Sequence, residues 1–218
     1  MAKRFQLIVF DWDGTLLNST ATIAQSVQAA ARDLGLPVPS DERARHIIGL
    51  GLLDAMRHAM PDLPESRYPE VADRYRHHYL SKDHELSLFA GAAELVNSLA
   101  EAGYLLAVAT GKSRKGLDRA FAVSGLGERF HASRCADECH SKPHPQMLEE
   151  LIDELGVDAG ATLMIGDTTH DLLMAKNAGV AAIGVTYGAH PRDALLALDP
   201  RYCADTVEQL TVWLQENA

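Results

Sequence analysis

The 218-residue chain is short of cysteine, of positive charge and of long apolar runs. Its three cysteines, Cys135, Cys139 and Cys203, are too few and odd in number for a disulfide framework. Its apolar runs last only a few residues, against the roughly 20 that cross a bilayer as a helix, so no membrane partner is expected. Lys and Arg total 20 against 30 Asp and Glu, for a formal net charge of −10. A chain of that sign repels polyanions, which argues against a general binder of nucleic acid or of anionic membrane. A small phosphorylated metabolite held at a local positive site remains compatible with it. The segment from Met1 to Gln6 has no signal-peptide pattern, which predicts a cytoplasmic protein. Monomer and homodimer stay equally open.

What is present is a core and an alternation. Apolar residues make up 47% of the chain, enough for a buried core. Four apolar runs read as strands covered on both faces: Leu7 to Phe10, Leu105 to Ala109, Thr162 to Ile165 and Ala181 to Val185. Helical patterns lie between them, at Ala92 to Ala102, Pro145 to Leu155 and Asp171 to Ala178. Strands alternating with helices predict an α/β fold, a doubly wound, Rossmann-like parallel sheet with helices on both faces. From about Ser19 to Asp83 the alternation stops. Helices are expected from Thr20 to about Leu34, from Leu52 to Met60 and from Glu65 to Leu80, with no convincing strand. That block predicts an all-helical insertion over residues 18–87, with the core formed by residues 1–17 and 88–218. On its third helix, Tyr68, Val71, Tyr75 and Tyr79 recur at helical spacing, which predicts a packed face rather than a ligand surface.

Polar residues cluster where the apolar strands end. Asp11 and Asp13 follow the first strand, Thr110 the second and Asp167 the third, with Asp171 four residues on. Lys142 joins this group less directly, because no clear strand precedes Ser141-Lys142-Pro143. In open parallel sheets that edge is the ligand-binding edge. Four carboxylates in one cleft repel one another, and a hard divalent cation with oxygen ligands relieves the conflict. Taken singly, Asp11, Asp167 and Asp171 are also ordinary helix caps and Thr110 an ordinary strand end. Jointly, caps do not explain why every major strand end carries a residue of catalytic type.

The same residues resemble the haloacid dehalogenase superfamily. Asp11-Trp12-Asp13-Gly14-Thr15 looks like its first motif, Thr110 its second, Lys142-Pro143-His144-Pro145 its third and Gly166-Asp167-Thr168-Thr169-His170-Asp171 its fourth. All four stand in the family's order, and the resemblance spans essentially the whole chain. It implies a Mg²⁺-dependent phosphatase acting through an aspartyl phosphate. Asp11 would be the nucleophile, Asp13 the general acid and base, and Thr110 and Lys142 the groups that hold the phosphoryl oxygens. The backbone around Trp12, Asp13 and Gly111 would assist in holding phosphate. Asp11, the carbonyl of Asp13, and Asp167 would bind Mg²⁺, with Asp171 a further ligand or a holder of Lys142.

The helical insertion resembles the cap of the phosphoglycolate phosphatase-like branch. Arg45, His46, Gly49 and Gly51 are its candidate substrate contacts and 2-phosphoglycolate its candidate substrate. Hinges are expected near Leu17 to Ser19 and Asp83 to Leu88. Two other readings share parts of the pattern. A phosphosugar mutase of the beta-phosphoglucomutase kind has the same nucleophile, metal and cap, but often an apolar residue where Thr15 stands. A phospho-receiver domain lacks both the D-x-D-G-T spacing and the long insertion. Separately, His131, Cys135, Cys139, His140 and His144 have a faintly zinc-like spacing. It matches no standard finger and Lys142 interrupts it, so a polar loop is the expectation.

Overall fold

The computed structural model describes residues 4–218, so Met1 to Lys3, part of the stretch read for a signal peptide, lie outside the described residues. In chain order the elements are β1 (Leu7–Phe10), α1 (Thr20–Asp33), α2 (Asp41–His46), α3 (Leu52–Ala59), α4 (Tyr68–Lys82), α5 (Ala92–Glu101), β2 (Leu105–Thr110), α6 (Arg114–Ser124), β3 (Ala132–Cys135), α7 (Gln146–Leu155), β4 (Thr162–Gly166), α8 (Thr169–Asn177), β5 (Ala181–Val185), α9 (Arg192–Leu196), β6 (Tyr202–Ala204) and α10 (Val207–Asn217). Among the described residues, no helix is long and apolar enough to cross a membrane.

The strands form one parallel sheet in the order β3-β2-β1-β4-β5-β6. Successive side chains of a strand point to opposite faces. Ile8, Phe10, Leu106, Val108, Leu163 and Ile165 therefore pack with Leu95 and Val96 of α5 and Leu210 and Leu214 of α10. Leu7, Val9, Ala107, Ala109 and Met164 pack on the other face with Leu148 and Leu151 of α7 and Met174 of α8. Covered faces on both sides explain why the central strands read as unbroken apolar runs. From β1 the chain first builds outward through β2 and β3, then returns to build β4, β5 and β6 on the other side. The order thus reverses between β1 and β4, and a crevice opens there at the carboxyl ends of the strands.

Helices α1 to α4 form the insertion. Val27, Ala30, Ala31, Ile47, Met56, Tyr68 and Val71 make an apolar cluster of their own. A smaller cluster of Ile23, Ile48, Tyr75 and Tyr79 meets Ala189, from the loop after β5. Leu17 and Leu88 are joined by an isolated antiparallel bridge where the chain leaves and re-enters the sheet layer. Of the three helices expected in the insertion, two are trimmed at an end: the second stops at Ala59, and the third opens as a 3₁₀ turn, Glu65–Arg67, before α4. The strand not seen ahead of Ser141 is β3, an edge strand of sequence Ala-Ser-Arg-Cys whose middle residues are only half-buried.

Candidate active site

The carboxyl end of β1 carries the first acidic residues. The Asp11 N–H donates to the Ile165 carbonyl at 2.9 Å, which brings the ends of β1 and β4 together. Gly14 then turns the chain at φ +82°, and a Cβ built there would lie 2.2 Å from Asp167 Oδ2, so the turn and the packing both require glycine. From the other strand ends come Thr110, Lys142 on the loop beyond β3, Asp167 after β4, and Asp171 in the first turn of α8. Asp11, Thr110, Asp167 and Asp171 are fully buried and Lys142 is 2% exposed.

Lys142 Nζ donates to Asp11 Oδ1 at 2.8 Å and forms an ion pair with Asp171 Oδ1 at 2.7 Å. The other Asp171 oxygen accepts from the Thr168 N–H at 3.0 Å and hydroxyl at 2.6 Å, so Asp171 caps α8 and anchors Lys142 together. Asp167 accepts from Thr15 Oγ1 at 2.9 Å and from the Ala189 N–H at 2.7 Å. Burial pushes the Asp11 carboxyl up to about 7; the charges of Asp171 and Asp13 add to this and Lys142 opposes it. Burial, then the neighbouring Asp11 and Asp171, raise Asp167 well above the usual carboxylate range. For Lys142 burial disfavours the charge, but Asp11 and Asp171 more than offset it and hold the ammonium above its ordinary value.

Carboxylate oxygens of Asp11, Asp167 and Asp171 lie within 4.8 Å of one another, and Asp11 Oδ2 is buried with no hydrogen-bond partner. One ammonium among three buried carboxylates leaves negative charge uncompensated. An all-oxygen donor set with an orphaned oxygen fits a hard divalent cation such as Mg²⁺.

Asp13 is held at both oxygens. Ser19 Oγ donates to Oδ1 at 2.7 Å, and Lys112 Nζ pairs with Oδ2 at 2.9 Å. The same ammonium donates to Tyr79 Oη at 3.0 Å, so it links the insertion to the core beside the acidic cluster. Sequence reading missed Lys112, Ser19 and Tyr79 as site groups. Lys112 had one signal, its place two residues after Thr110. The Trp12 ring is buried edge-on against Phe121 and Phe130 at 5.3 and 6.2 Å, away from the acidic cluster's polar groups.

Among the expected insertion residues, the structure separates two from two. Gly49 and Gly51 line the cavity above Asp11 and Asp13, with Gly111 and Thr110 opposite. Arg45 lies outside the lining; it pairs with Asp41 one turn back along α2. The His46 ring lies against His170 and His190, and its carbonyl accepts from the Nε2 atoms of those two residues at 2.7 and 3.1 Å. The Gly51 N–H donates to Ser141 Oγ at 2.8 Å, and a Cβ on Gly111 would lie 2.6 Å from the Gly49 carbonyl. Residues 46–51 thus rest on the loops that carry Thr110, Lys142 and Asp167. His190 gave no signal in the sequence. Burial, with His170 beside it, pushes its imidazole down to about 4, and burial lowers His170 as well.

The aromatic stripe of α4 divides. Tyr68 is in the core of the insertion, and Tyr75 and Tyr79 pack against its apolar clusters, as the spacing predicts, while also lining the cavity. Among the described residues, the His, Cys, Asp and Glu groups that converge on a point are the acidic trio and the trio of His46, His170 and His190. The cluster from His131 to His144 does not converge. Burial pushes the Cys135 and Cys139 thiols up to about 12 and about 11, away from metal-binding thiolates. His78 pairs with Asp33 at 2.8 Å, and His77 is exposed.

Comparison with known proteins places this geometry. Residues 8–185 match the family described as Haloacid dehalogenase-like hydrolase. The chain is 39% identical over 210 residues to the probable phosphatase IndB of Dickeya dadantii, covering 94% of this chain and 91% of that protein. It is 36% identical to a 5'-nucleotidase of Pseudomonas aeruginosa, covering 94% and 93% of the two chains. It is 32% identical to a phosphoglycolate phosphatase of Vibrio parahaemolyticus, covering 94% of each. A crystal structure of a predicted phosphoglycolate phosphatase from Haemophilus somnus superposes with a TM-score of 0.86 at 26% identity, over 96% of this chain and 98% of that one. A matched family model over most of the chain, and acidic residues at the strand ends where that fold binds ligands, give one answer: the chain belongs to the haloacid dehalogenase-like hydrolases, in their phosphoglycolate phosphatase-like branch, and is a phosphatase.

Proposed function

We propose that the protein is a Mg²⁺-dependent phosphomonoesterase in which Asp11 is the covalent nucleophile. The observation that carries this is the state of Asp11: buried, hydrogen-bonded to Lys142 through one oxygen and unpartnered at the other. Asp11, Asp167 and the backbone of Asp13 would hold the cation, and Asp171 contributes by fixing Lys142. When bound, Mg²⁺ supplies charge neutralisation at the phosphoryl oxygens.

The rest falls to side chains. An Asp11 oxygen attacks phosphorus, and the bond from phosphorus to the ester oxygen breaks. Asp13 gives its proton to that departing oxygen. Water then attacks the aspartyl phosphate while Asp13 takes a proton from it, and the bond between phosphorus and Asp11 breaks to release phosphate. Lys142 and Thr110 face the oxygens that gain charge, and preorganised donors of this kind carry much of the rate enhancement in phosphoryl transfer. Residues 46–51, seated on three of the catalytic loops, and the Lys112–Tyr79 link support a closed insertion that keeps bulk water from the aspartyl phosphate. We assign the insertion to residues 18–87.

The related proteins carry names that point to different leaving groups, a nucleoside in one and glycolate in another. Phosphoglycolate is therefore the small end of the range to assay. Asp11→Asn is expected to reduce phosphate release by about a thousandfold or more, with an unchanged circular dichroism spectrum. Substantial turnover by purified, folded Asp11→Asn protein removes the mechanism.

A further inference from the structure

The cavity that starts at Asp11 and Asp13 does not end at the phosphoryl pocket. It runs outward between α3 and α4 of the insertion and α6 of the core, with a volume of about 960 Å³. Cavities of roughly 300–1,000 Å³ enclose ligands of drug size, so this one stands at the upper end of that range. A two-carbon acid fills a small part of it.

The walls are mainly hydrocarbon. Ile48, Leu52, Tyr75 and Tyr79 line the cavity, and the two tyrosine rings lie 5.8 Å apart at 30°. Further out stand Leu53, Leu80 and Val123, which are 58%, 44% and 74% exposed. They come from α3, α4 and α6, and all three line this cavity. They are half of the six large hydrophobic residues left exposed among the described residues. Apolar side chains gathered at one opening mark a ligand site, whereas exposed ones scattered singly need no explanation.

The charges around the cavity support the same reading. A small carboxylate-bearing ester such as phosphoglycolate, whose carboxylate adds to the charge of its phosphoryl group, needs a second cation close to the phosphoryl pocket. The cations lining the cavity are mostly engaged: Lys112 with Asp13 at 2.9 Å, Arg76 with Asp73 at 2.8 Å and Arg119 with Asp83 at 3.0 Å. Lys115 stands exposed on α6, at the core side of the cleft. Close to Asp13 the cavity offers the Lys112 ammonium, already paired with Asp13, and otherwise tyrosine and aliphatic surface.

From this we infer that the leaving group is a large, mostly apolar, ring-bearing alcohol of nucleoside size, lying between Tyr75 and Tyr79 at one end and the rim of Leu53, Leu80 and Val123 at the other. This rests on the phosphomonoesterase reading above and adds the substrate class to it. Aromatic walls suit a flat ring, which they contact by offset stacking or edge-to-face packing.

The test separates leaving-group size from leaving-group reactivity. Phosphate release is measured with Mg²⁺ for acetyl phosphate, phosphoglycolate, ethyl phosphate, 2-(1-naphthyl)ethyl phosphate and uridine 5'-monophosphate. Ethyl phosphate and its naphthyl derivative are both primary alkyl esters, so their ratio reports on the cavity. We expect kcat/KM for the naphthyl ester to exceed that for ethyl phosphate and for phosphoglycolate by roughly tenfold or more, mostly through KM. Uridine 5'-monophosphate should also exceed phosphoglycolate. The exposed positions Leu53→Asp and Val123→Asp, combined, should lower the naphthyl-to-ethyl ratio by roughly tenfold.

Three outcomes overturn the inference. In the first, phosphoglycolate outruns both large esters. In the second, the naphthyl and ethyl esters are equal. In the third, the rim variants lower both esters in proportion. If any of the four esters is hydrolysed in these cases, the phosphomonoesterase reading survives alone. If no ester releases phosphate, whether or not acetyl phosphate does, both readings fall together.

Discussion

Removing the metal should make the stability of this protein respond to pH in a way that identifies Asp11. Burial raises the Asp11 carboxyl from 3.8 to about 7. Between those values the folded chain holds a proton there that the unfolded chain has released. The contribution of this group to stability is therefore complete below about pH 4 and is lost as pH rises through about 7. Across the full interval of about three units, at about 1.4 kcal/mol each, the loss approaches about 4 kcal/mol. Asp167 acts with the same sign. His170 and His190 act with the opposite sign, because their folded values are depressed and stability is gained as pH rises toward 6.5.

The raw pH curve therefore mixes both signs, and a difference measurement isolates the carboxyl. Wild type and Asp11→Asn are melted in chelator from pH 5 to pH 8, and their Tm difference is followed. The histidines are common to both, whereas Asp167 loses the charge of Asp11 in the variant and is raised less, which adds to the difference with the same sign. Asp11→Asn should gain on wild type by about 3 kcal/mol over that range, or about 6–12 °C for a chain of this size. Added Mg²⁺ should stabilise wild type more at pH 8 than at pH 5, since cation and proton compete for the same oxygens. A Tm difference that stays constant across the range, with a Mg²⁺ increment independent of pH, refutes the argument.

Three further outcomes follow from other contacts. Lys142→Met leaves two buried carboxylates without their counter-charge; it should cost about 3–5 kcal/mol in chelator by urea denaturation, and adding Asp171→Asn should recover part of this. A Lys142→Met protein as stable as wild type would contradict the buried triad. Gly111→Ala puts a methyl group against the Gly49 carbonyl and should push residues 46–51 off the core, raising KM and exposing the 46–51 amides to hydrogen exchange, at a cost of about 1–3 kcal/mol. Unchanged exchange there would mean that the loop does not rest on Gly111. Thorough chelation should abolish turnover and Mg²⁺ restore it, whereas Ca²⁺, which takes six to eight oxygens and favours bidentate carboxylates, should inhibit in competition with Mg²⁺; full activity in Ca²⁺ or in chelator would contradict Asp11 as ligand and nucleophile together.

Much of this molecule was legible in the chain itself, for identifiable physical reasons. β1, β2, β4 and β5 are covered on both faces, so each leaves an unbroken apolar run, and the run shows where the strand ends and a polar residue begins. Local spacing also carried three of the four helices of the insertion, though not the short α2, and the acidic residues after β1 and β4. The edge strands were not legible. β3 and β6 each have one neighbour in the sheet, and their short sequences, Ala-Ser-Arg-Cys and Tyr-Cys-Ala, bury too little to leave a pattern.

Tertiary structure alone decided what each face meets. Helical periodicity predicted that Tyr68, Tyr75 and Tyr79 share a side of α4, but it says nothing of what lies opposite; the packing of the insertion on the core put all three against hydrophobic clusters and left Tyr75 and Tyr79 bordering the cavity as well. The meeting of Lys112 with Asp13, and of His46 with His170 and His190, depends on chain segments up to 144 residues apart. A sequence encodes its periodicities within a few residues of each position, whereas contacts between distant loops exist only once the sheet has brought the strand ends into one crevice.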